Sequence, residues 1–261
     1  MSGRLRALIT NDDGISSEGL RRLALLAVEA GLDVVVAAPD SDLSGSSASL
    51  IAVRDDGRVI VEPSPLAGLD GVPAFAVAGA PAFITLIAIR GAFGPPPDLV
   101  LSGINNGPNV GKAIIHSGTV GAALTGASRG CRAMAVSTSG QPPNWDVAVE
   151  VARQLLPALV DAPPETVVNV NAPDAGAGQL RGVRNAQLAD FGAVQTTVSA
   201  VRQGYVQLEV VDIGAEQEPE SDVALLAAGW ATVTSLQPMC SASTSDFNLR
   251  LAPAERHGGR R

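Results

Sequence analysis

Residues 5–38, LRALITNDDGISSEGLRRLALLAVEAGLDVVVAA, decide the fold. The apolar run from Leu5 to Ile9 ends in Thr10-Asn11-Asp12-Asp13-Gly14, after which Leu20, Leu23, Ala24, Ala27 and Val28 recur at helical spacing. Ser17 and Glu18 open that helix, and Gly31 stands where a helix closes. Val34 to Ala38 is a second apolar strand. Strand, helix and strand with unbroken apolar strands predict a right-handed βαβ unit in a parallel sheet covered on both faces. Ligands of such sheets lie at the carboxyl ends of the strands, which is where Asp12 and Asp13 fall.

Two adjacent carboxylates repel each other unless a cation, a proton or full solvation relieves them. The pair therefore reads either as a seat for a divalent metal or as a polar turn capping the following helix.

Composition limits what the chain can be. At 261 residues, with 46% hydrophobic and 17% charged residues, it can bury a sizeable core. Aromatic residues make up only 3%, so Ala, Val and Leu must fill that core, which suits helices packed closely on a parallel sheet. Eighteen basic against 26 acidic residues give a net charge of −8. General affinity for nucleic acid or for anionic membranes is excluded, and a phosphate ligand needs a local positive centre. Cys131 and Cys240 form neither a disulfide framework nor a zinc cluster and read as core residues. No secretory signal and no membrane-length apolar run is present, so the expected location is cytoplasmic.

Beyond the second strand, Pro39 to Ser47 is a loop of acids, hydroxyls and glycine at the same edge as Asp12. Its Asp40-Ser41-Asp42-Leu43-Ser44 resembles the nucleophile motif of haloacid-dehalogenase-type phosphatases, with Asp40 as nucleophile and Asp42 as acid. That chemistry uses a downstream lysine, and Lys112 is the only one in the chain. Residues 50–78 read as short strands, 81–92 as a helix and 98–102 as a strand. Then comes Ser102-Gly103-Ile104-Asn105-Asn106-Gly107-Pro108-Asn109, a glycine- and asparagine-rich loop whose amide oxygens can meet a hard cation or whose N–H groups can meet phosphate. Ser117-Gly118-Thr119 begins a small-residue helix, either as an anion-binding N-terminus or as a plain cap, and His116 precedes it as general acid, substrate contact or packed imidazole. Residues 134–137 and 167–171 predict strands and 145–159 an amphipathic helix, and Gly176-Ala177-Gly178 lacks the third glycine of a dinucleotide fingerprint. Residues 181–213 suggest a hairpin around Gln203-Gly204, 221–228 a short helix, 230–236 a strand, and 254–261, with His257, a disordered tail.

Taken in order, Thr10 to Gly14, Ala38-Pro39-Asp40 through Ser44-Gly45, Ser102 to Asn109 and Ser117-Gly118-Thr119-Val120 resemble the SurE family of survival-protein nucleotidases. Asp222 and the strand at 229–236 extend the resemblance to roughly residues 4–240. The resemblance implies an α/β, Rossmann-like, mostly parallel sheet with helices on both faces, a projecting hairpin arm and C-terminal elements exchanged in a homodimer or homotetramer. It implies one unit over residues 1–261: a core at about 4–180, an oligomerisation arm and C-terminal segment at about 181–250, and the tail. It further implies a phosphomonoesterase of nucleoside 5′- and 3′-monophosphates that uses one divalent cation per subunit, Mg²⁺ or Mn²⁺. Asp12, Asp13, Ser44 and Asn105 match the metal ligands; Asn109, Ser117, Gly118 and Thr119 match the phosphate pocket. Asp12, Asp13 and Asn109 would carry catalysis. His116 stands where the family commonly has Tyr, and the arm at 186–219, with Phe191 and Tyr205 its only aromatics, departs most from the pattern. Two competing readings are an Asp40-phosphorylated phosphatase and a non-catalytic nucleotide-binding module.

Overall fold

The opening segment folds as strand β1 (Arg6–Thr10), helix α1 (Glu18–Glu29) and strand β2 (Asp33–Pro39). The two strands pair in parallel, Ala7 opposite Val34 and Ile9 opposite Val36. Ser17 is the N-cap of α1, its side chain accepting the amide of Leu20, so one otherwise unpaired N–H is satisfied at the start. Leu20, Leu23, Ala24 and Ala27 are buried as the helical spacing predicts, whereas Val28 is 41% exposed. It lies at the edge of the apolar stripe, outside the face that the sheet covers.

This computed structural model describes residues 4–176, 179–190, 194–202, 205–212 and 218–239. After β2 come a two-stranded ribbon, β3 (Arg54–Asp55) and β4 (Arg58–Val59), then β5 (Val61–Pro63), β6 (Ala74–Val77) and α2 (Pro81–Ile89). Next are β7 (Leu99–Asn106), a 3₁₀ helix (Gly111–His116), α3 (Gly118–Ala127), β8 (Arg132–Thr138), α4 (Trp145–Asp161) and β9 (Val167–Ala172). The last elements are β10 (Val183–Asn185), β11 (Val194–Arg202), β12 (Tyr205–Asp212), α5 (Asp222–Ala227) and β13 (Ala231–Leu236).

Nine strands form one sheet in the order β10-β13-β9-β8-β7-β1-β2-β6-β5. The inner six, β6-β2-β1-β7-β8-β9, are parallel, and the flanking β5 and β13 run antiparallel to β6 and β9. This is an α/β, Rossmann-like sheet. The chain winds outward from β1 through β2 to β6, then returns to β7 on the other side and winds away through β8 and β9. The strand order therefore reverses between β1 and β7, and the crevice there is where a doubly wound sheet binds its ligand.

Alternation along β1 sorts the two cores. Ala7 and Ile9 join Leu20 and Leu23 of α1 and Ala148 and Val151 of α4, while Leu8 packs with Ile84 of α2 and Val120 and Ala123 of α3 on the opposite face. Successive strand residues point to opposite faces, so a strand buried on both sides must be apolar throughout, as β1 is.

Several boundaries differ from the sequence reading. The strand expected to stop at Ser102 continues to Asn106, because its backbone stays paired with β8 through an irregularity in register between Ser102 and Asn105. The helix expected to reach Ala92 ends at Ile89. The hairpin expected at 181–213 is present as β11 and β12, paired antiparallel with Arg202 opposite Tyr205, but its first part, β10, pairs with β13 in the main sheet instead. Cys131 is 4% exposed and its thiol donates to the carbonyl of Pro97. Burial pushes that thiol up to about 11, so it is an inert core residue. Residues 177, 178, 191, 203, 204, 240, 257 and the tail from 254 lie outside the described residues. So does any exchanged C-terminal element past 239, β13 itself pairing with β9 of its own chain.

Candidate active site

Asn11, fully buried, sets the shape of the tip after β1. Its Nδ2 donates to the Gly14 carbonyl at 3.2 Å and to Ser17 Oγ at 2.6 Å, while the Gly14 amide donates to Asn11 Oδ1 at 3.2 Å. An Asx turn of this kind replaces the strand ladder with side-chain bonds and ties the tip to the N-cap of α1.

Asp12, the next residue, is 3% exposed. Its carboxylate accepts the Thr119 hydroxyl and the backbone amides of Thr119 and Gly118. The first turn of α3 is therefore aimed at Asp12, and its dipole and unpaired N–H groups offset part of the cost of a buried anion. Burial nevertheless holds the Asp12 pKa above the ordinary carboxylate value. This close approach requires glycine at 118: a Cβ there would lie 2.8 Å from Asp12 Oδ2 and 2.6 Å from Ser46 Oγ.

Asp13 is only partly covered, yet its pKa is pushed up to about 6, by burial first and then by Asp12 and Asp42, against the Asn106 amide that hydrogen-bonds it. Its Oδ2 is buried without a hydrogen-bond partner among the described residues. A carboxylate oxygen in that condition beside a second carboxylate is short of positive charge.

The loop after β2 closes over this pair. The Leu43 amide donates to the Asp12 carbonyl at 2.8 Å. Ser44 donates twice to Asp42 Oδ1, from its amide at 2.8 Å and its hydroxyl at 2.6 Å, and these bonds hold Asp42 below the usual carboxylate range. With its proton committed to Asp42, Ser44 Oγ keeps lone pairs for another partner. The loop is anchored to the 3₁₀ helix, Ser47 donating from its amide to the His116 carbonyl at 3.2 Å and from its hydroxyl to the Ile115 carbonyl at 2.6 Å. It lies so close to α3 that a Cβ on Gly121 would sit 2.7 Å from the Ser47 carbonyl.

Asn105 and Asn109 come from the end of β7 and the turn beyond it. Asn105 Nδ2 donates to the Gly107 carbonyl at 2.7 Å, which leaves the amide oxygen on the other edge of the side chain. Asn109 is clamped from three directions. Its amide donates to Asn171 Oδ1, its carbonyl accepts Asn169 Nδ2 and Asn171 Nδ2, and its own Nδ2 donates to Ser137 Oγ, all at 2.8 Å. Asn169 and Asn171 are fully buried in β9, and the sequence predicts them only as strand residues. Their signal was the alternation Val168-Asn169-Val170-Asn171, which puts two amides on one face of a buried strand, where they must find partners.

Ser117 caps α3 by accepting the Val120 amide at 3.1 Å, leaving its hydroxyl proton free to donate. His116 is exposed at the end of the 3₁₀ helix. Lys112 is exposed and ion-paired with Asp190 at 2.5 Å, and Asp40 is exposed, accepting the Ser41 hydroxyl at 3.0 Å. A second buried acid, Asp222, ties the segment together: it accepts the amides of Gly111 at 2.8 Å, Ala189 at 3.0 Å and Val223 at 2.9 Å.

The donors around the tip suit a hard divalent cation. Among the described residues no group of three or more His, Cys, Asp or Glu is gathered in one place, so a zinc-type cluster is not formed there. Two carboxylates, a hydroxyl and a side-chain amide are oxygen donors of the kind Mg²⁺ and Mn²⁺ take. The buried Asp13 Oδ2, without a hydrogen-bond partner among the described residues, fits such an ion.

A family profile described as "Survival protein SurE" matches residues 7–195. A protein of Edwardsiella ictaluri named 5'/3'-nucleotidase SurE is 34% identical over 238 residues, covering 89% of this chain and 90% of its own. One of Desulfitobacterium hafniense named 5'-nucleotidase SurE is 35% identical over 255 residues, 94% of this chain and 95% of its own. The crystal structure of a SurE protein from Aquifex aeolicus superposes with a TM-score of 0.76 at 28% identity, covering 90% of this chain and 94% of that one. With matches of this length running through the acidic tip, the asparagine turn and the start of α3, the chain belongs to the SurE family.

Proposed function

We propose that the protein is a 5′-nucleotidase, a phosphomonoesterase that hydrolyses nucleoside 5′- and 3′-monophosphates to nucleoside and phosphate and depends on one divalent cation per subunit, Mg²⁺ or Mn²⁺. The observation that carries this reading is the Asp12–Asp13 pair at the reversal point of the sheet, one of its oxygens buried without a partner. The nucleotidase names of the relatives support it. The family match does not favour the Asp40 reading, and the non-catalytic reading leaves the charge-deficient pair unexplained.

Asp12, Asp13, Ser44 and Asn105 would hold the cation. When bound, it supplies Lewis-acid polarisation of a phosphoryl oxygen and acidifies water for in-line attack. The remaining work falls to the chain. Thr119 and Gly118 offset part of the cost of burying the Asp12 charge, their place at the start of α3 also suits contact with phosphate, and Asp42 fixes the Ser44 hydroxyl. Asn109 has one N–H on Ser137 and a second free to donate to an equatorial phosphoryl oxygen. The Ser117 hydroxyl proton is a further donor, and His116, exposed beside it in the chain, would meet the phosphate or the departing oxygen. The backbone clamp on Asn109 from Asn169 and Asn171 makes its position independent of the substrate.

The described residues contain no helix long and apolar enough to cross a membrane. A cytoplasmic homodimer or homotetramer, with the arm and C-terminal segment making the contacts, completes the proposal.

The test is a hydrolysis panel of 5′- and 3′-nucleotides, sugar phosphates and polyphosphate, with EDTA and with added Mg²⁺ or Mn²⁺. Nucleoside monophosphates should be cleaved only in the metal-supplemented arms. No hydrolysis of any substrate with metal present would overturn the enzyme reading, and equal rates in EDTA would overturn the metal.

A further inference from the structure

Asp40 has no place in the chemistry above, and its surroundings give it another. It lies at the mouth of a pocket of about 360 Å³ between the loop after β2 and the β6–α2 junction. Its apolar lining includes Ile51, Val53, Ala78 and Ala80, and Ser46 lines it as well. Ser46 is also the residue whose buried, unpartnered Oγ lies 2.6 Å from where a Gly118 Cβ would stand, beside Asp12. One residue is thus the partition between the pocket and the acidic pair. Asp40 is fixed at the rim, its amide donating to the Val77 carbonyl at 3.1 Å and its carboxylate accepting the Ser41 hydroxyl.

Three properties of the pocket define its ligand. Its volume is that of a small-molecule site. Its lining contains no cationic residue and includes the Asp40 carboxylate, so a phosphate group is repelled from it and would stay with the cation proposed at Asp12 and Asp13. Its walls are aliphatic without any aromatic, so a flat ring is held by apolar contact on its faces, and Asp40 accepts a hydrogen bond from its edge.

Resting on the phosphatase reading above, we infer that this pocket receives the leaving group of the substrate and selects nucleosides whose base carries an amino group, with a monophosphate and no further phosphates attached. A bare sugar loses the apolar contact. A base without an edge donor leaves Asp40 unanswered, and a diphosphate would bring added negative charge toward Asp40 and Asp42.

The experiment measures binding apart from turnover. Adenosine, purine riboside and ribose are titrated calorimetrically into the full chain, and KM for adenosine 5′-monophosphate and inhibition by inorganic phosphate are measured in parallel. The variants are Ile51→Asp, Val53→Asp and Asp40→Asn; Ile51 and Val53 are 74% and 64% exposed, so a charge there leaves folding intact. Saturable adenosine binding is expected, weakened about tenfold by either Asp variant, as loss of one well-made apolar contact predicts. KM should rise by the same factor while the phosphate inhibition constant moves less than about twofold, and Asp40→Asn should narrow the preference for adenosine over purine riboside about fivefold. Hydrolysis with KM unaltered in both Asp variants overturns the pocket and leaves the phosphatase reading standing. Absent turnover, with adenosine binding that Ile51→Asp abolishes, overturns the phosphatase reading and leaves a nucleoside pocket. A shift of the protein to a smaller oligomer in Ile51→Asp with unaltered adenosine affinity assigns the patch to a second copy of the chain and overturns the proposal.

Discussion

Gly118→Ala is the smallest change that reaches the centre of the site. Alanine is the better helix residue by up to about 1 kcal/mol, so on propensity alone the variant would be stabilised. Geometry opposes that gain. The added Cβ would stand 2.8 Å from both Asp12 Cβ and Oδ2 and 2.6 Å from Ser46 Oγ, whereas ordinary contact begins at 3.4 Å. Asp12 must therefore retreat by about 0.6 Å or α3 must lift away, and in either case the bonds from Thr119 and the helix amides to Asp12 are strained. Overpacking of this sort costs on the order of 1–3 kcal/mol, and a displacement approaching 1 Å at a positioned group costs up to about 10²-fold in rate. The expectation is kcat for a nucleoside monophosphate down about 30- to 100-fold, with far-ultraviolet circular dichroism unaltered and a melting temperature lower by ~2–6 °C. The assay is steady-state phosphate release at saturating Mn²⁺, beside thermal unfolding. A variant that folds and turns over within about threefold of wild type would show that Asp12 tolerates displacement and that the packing of α3 on the tip has no part in catalysis.

Three further outcomes follow from the same geometry. Without metal, stability should fall as pH rises from about 4 to 7: Asp13 titrates at about 6 in the folded chain and in the ordinary carboxylate range unfolded, so the native state holds the extra proton and its advantage is lost as pH climbs through the folded value. Two pKa units are about 3 kcal/mol, reduced to about 1–2 by the partial solvent exposure of Asp13; Asp13→Asn should flatten this slope in chelator-treated protein followed by urea unfolding. Asn171→Ala removes both an acceptor and a donor of the Asn109 clamp, and should destabilise by about 2–3 kcal/mol and lower kcat about tenfold or more with KM less affected; an unaltered kcat would show that Asn109 needs no clamp. Asp222→Ala strands the buried amides of Gly111 and Ala189, and a loss of about 2–4 kcal/mol in denaturant titration is expected, whereas a loss under about 0.5 kcal/mol would show that other groups pair them.

The fold was legible because its signals are local and repeated. Leu5 to Ala38 alternates between an unbroken apolar strand and a stripe of period 3.6, and no other arrangement buries both. The acidic tip was legible for an electrostatic reason, since adjacent carboxylates at a strand end need relief wherever they occur. The rest of the site depended on distance between segments. Asn169 and Asn171 lie about sixty residues from Asn109, and nothing within β9 states what the two amides bind. The duty of the α3 start was only half visible: Ser117-Gly118-Thr119 announced unpaired amides, but their direction toward Asp12 is set by how tightly α3 lies on the sheet. The motif casts Asp42 as a catalytic acid, whereas its place as the acceptor that orients Ser44 emerges from a turn three residues long. Asp40, offered as a nucleophile by its motif, lies exposed among the residues that line the pocket by the β6–α2 junction, a placement that its motif does not signal.

The central claim is that Asp12 and Asp13 form the anionic half of a divalent-cation site. Electron paramagnetic resonance titration of Mn²⁺ into chelator-treated wild-type and Asp13→Asn protein tests it without reliance on turnover. The account predicts one Mn²⁺ bound per wild-type chain, with affinity falling as pH drops below about 6, and no stoichiometric site in the folded variant. Equal Mn²⁺ binding by the two proteins would contradict it.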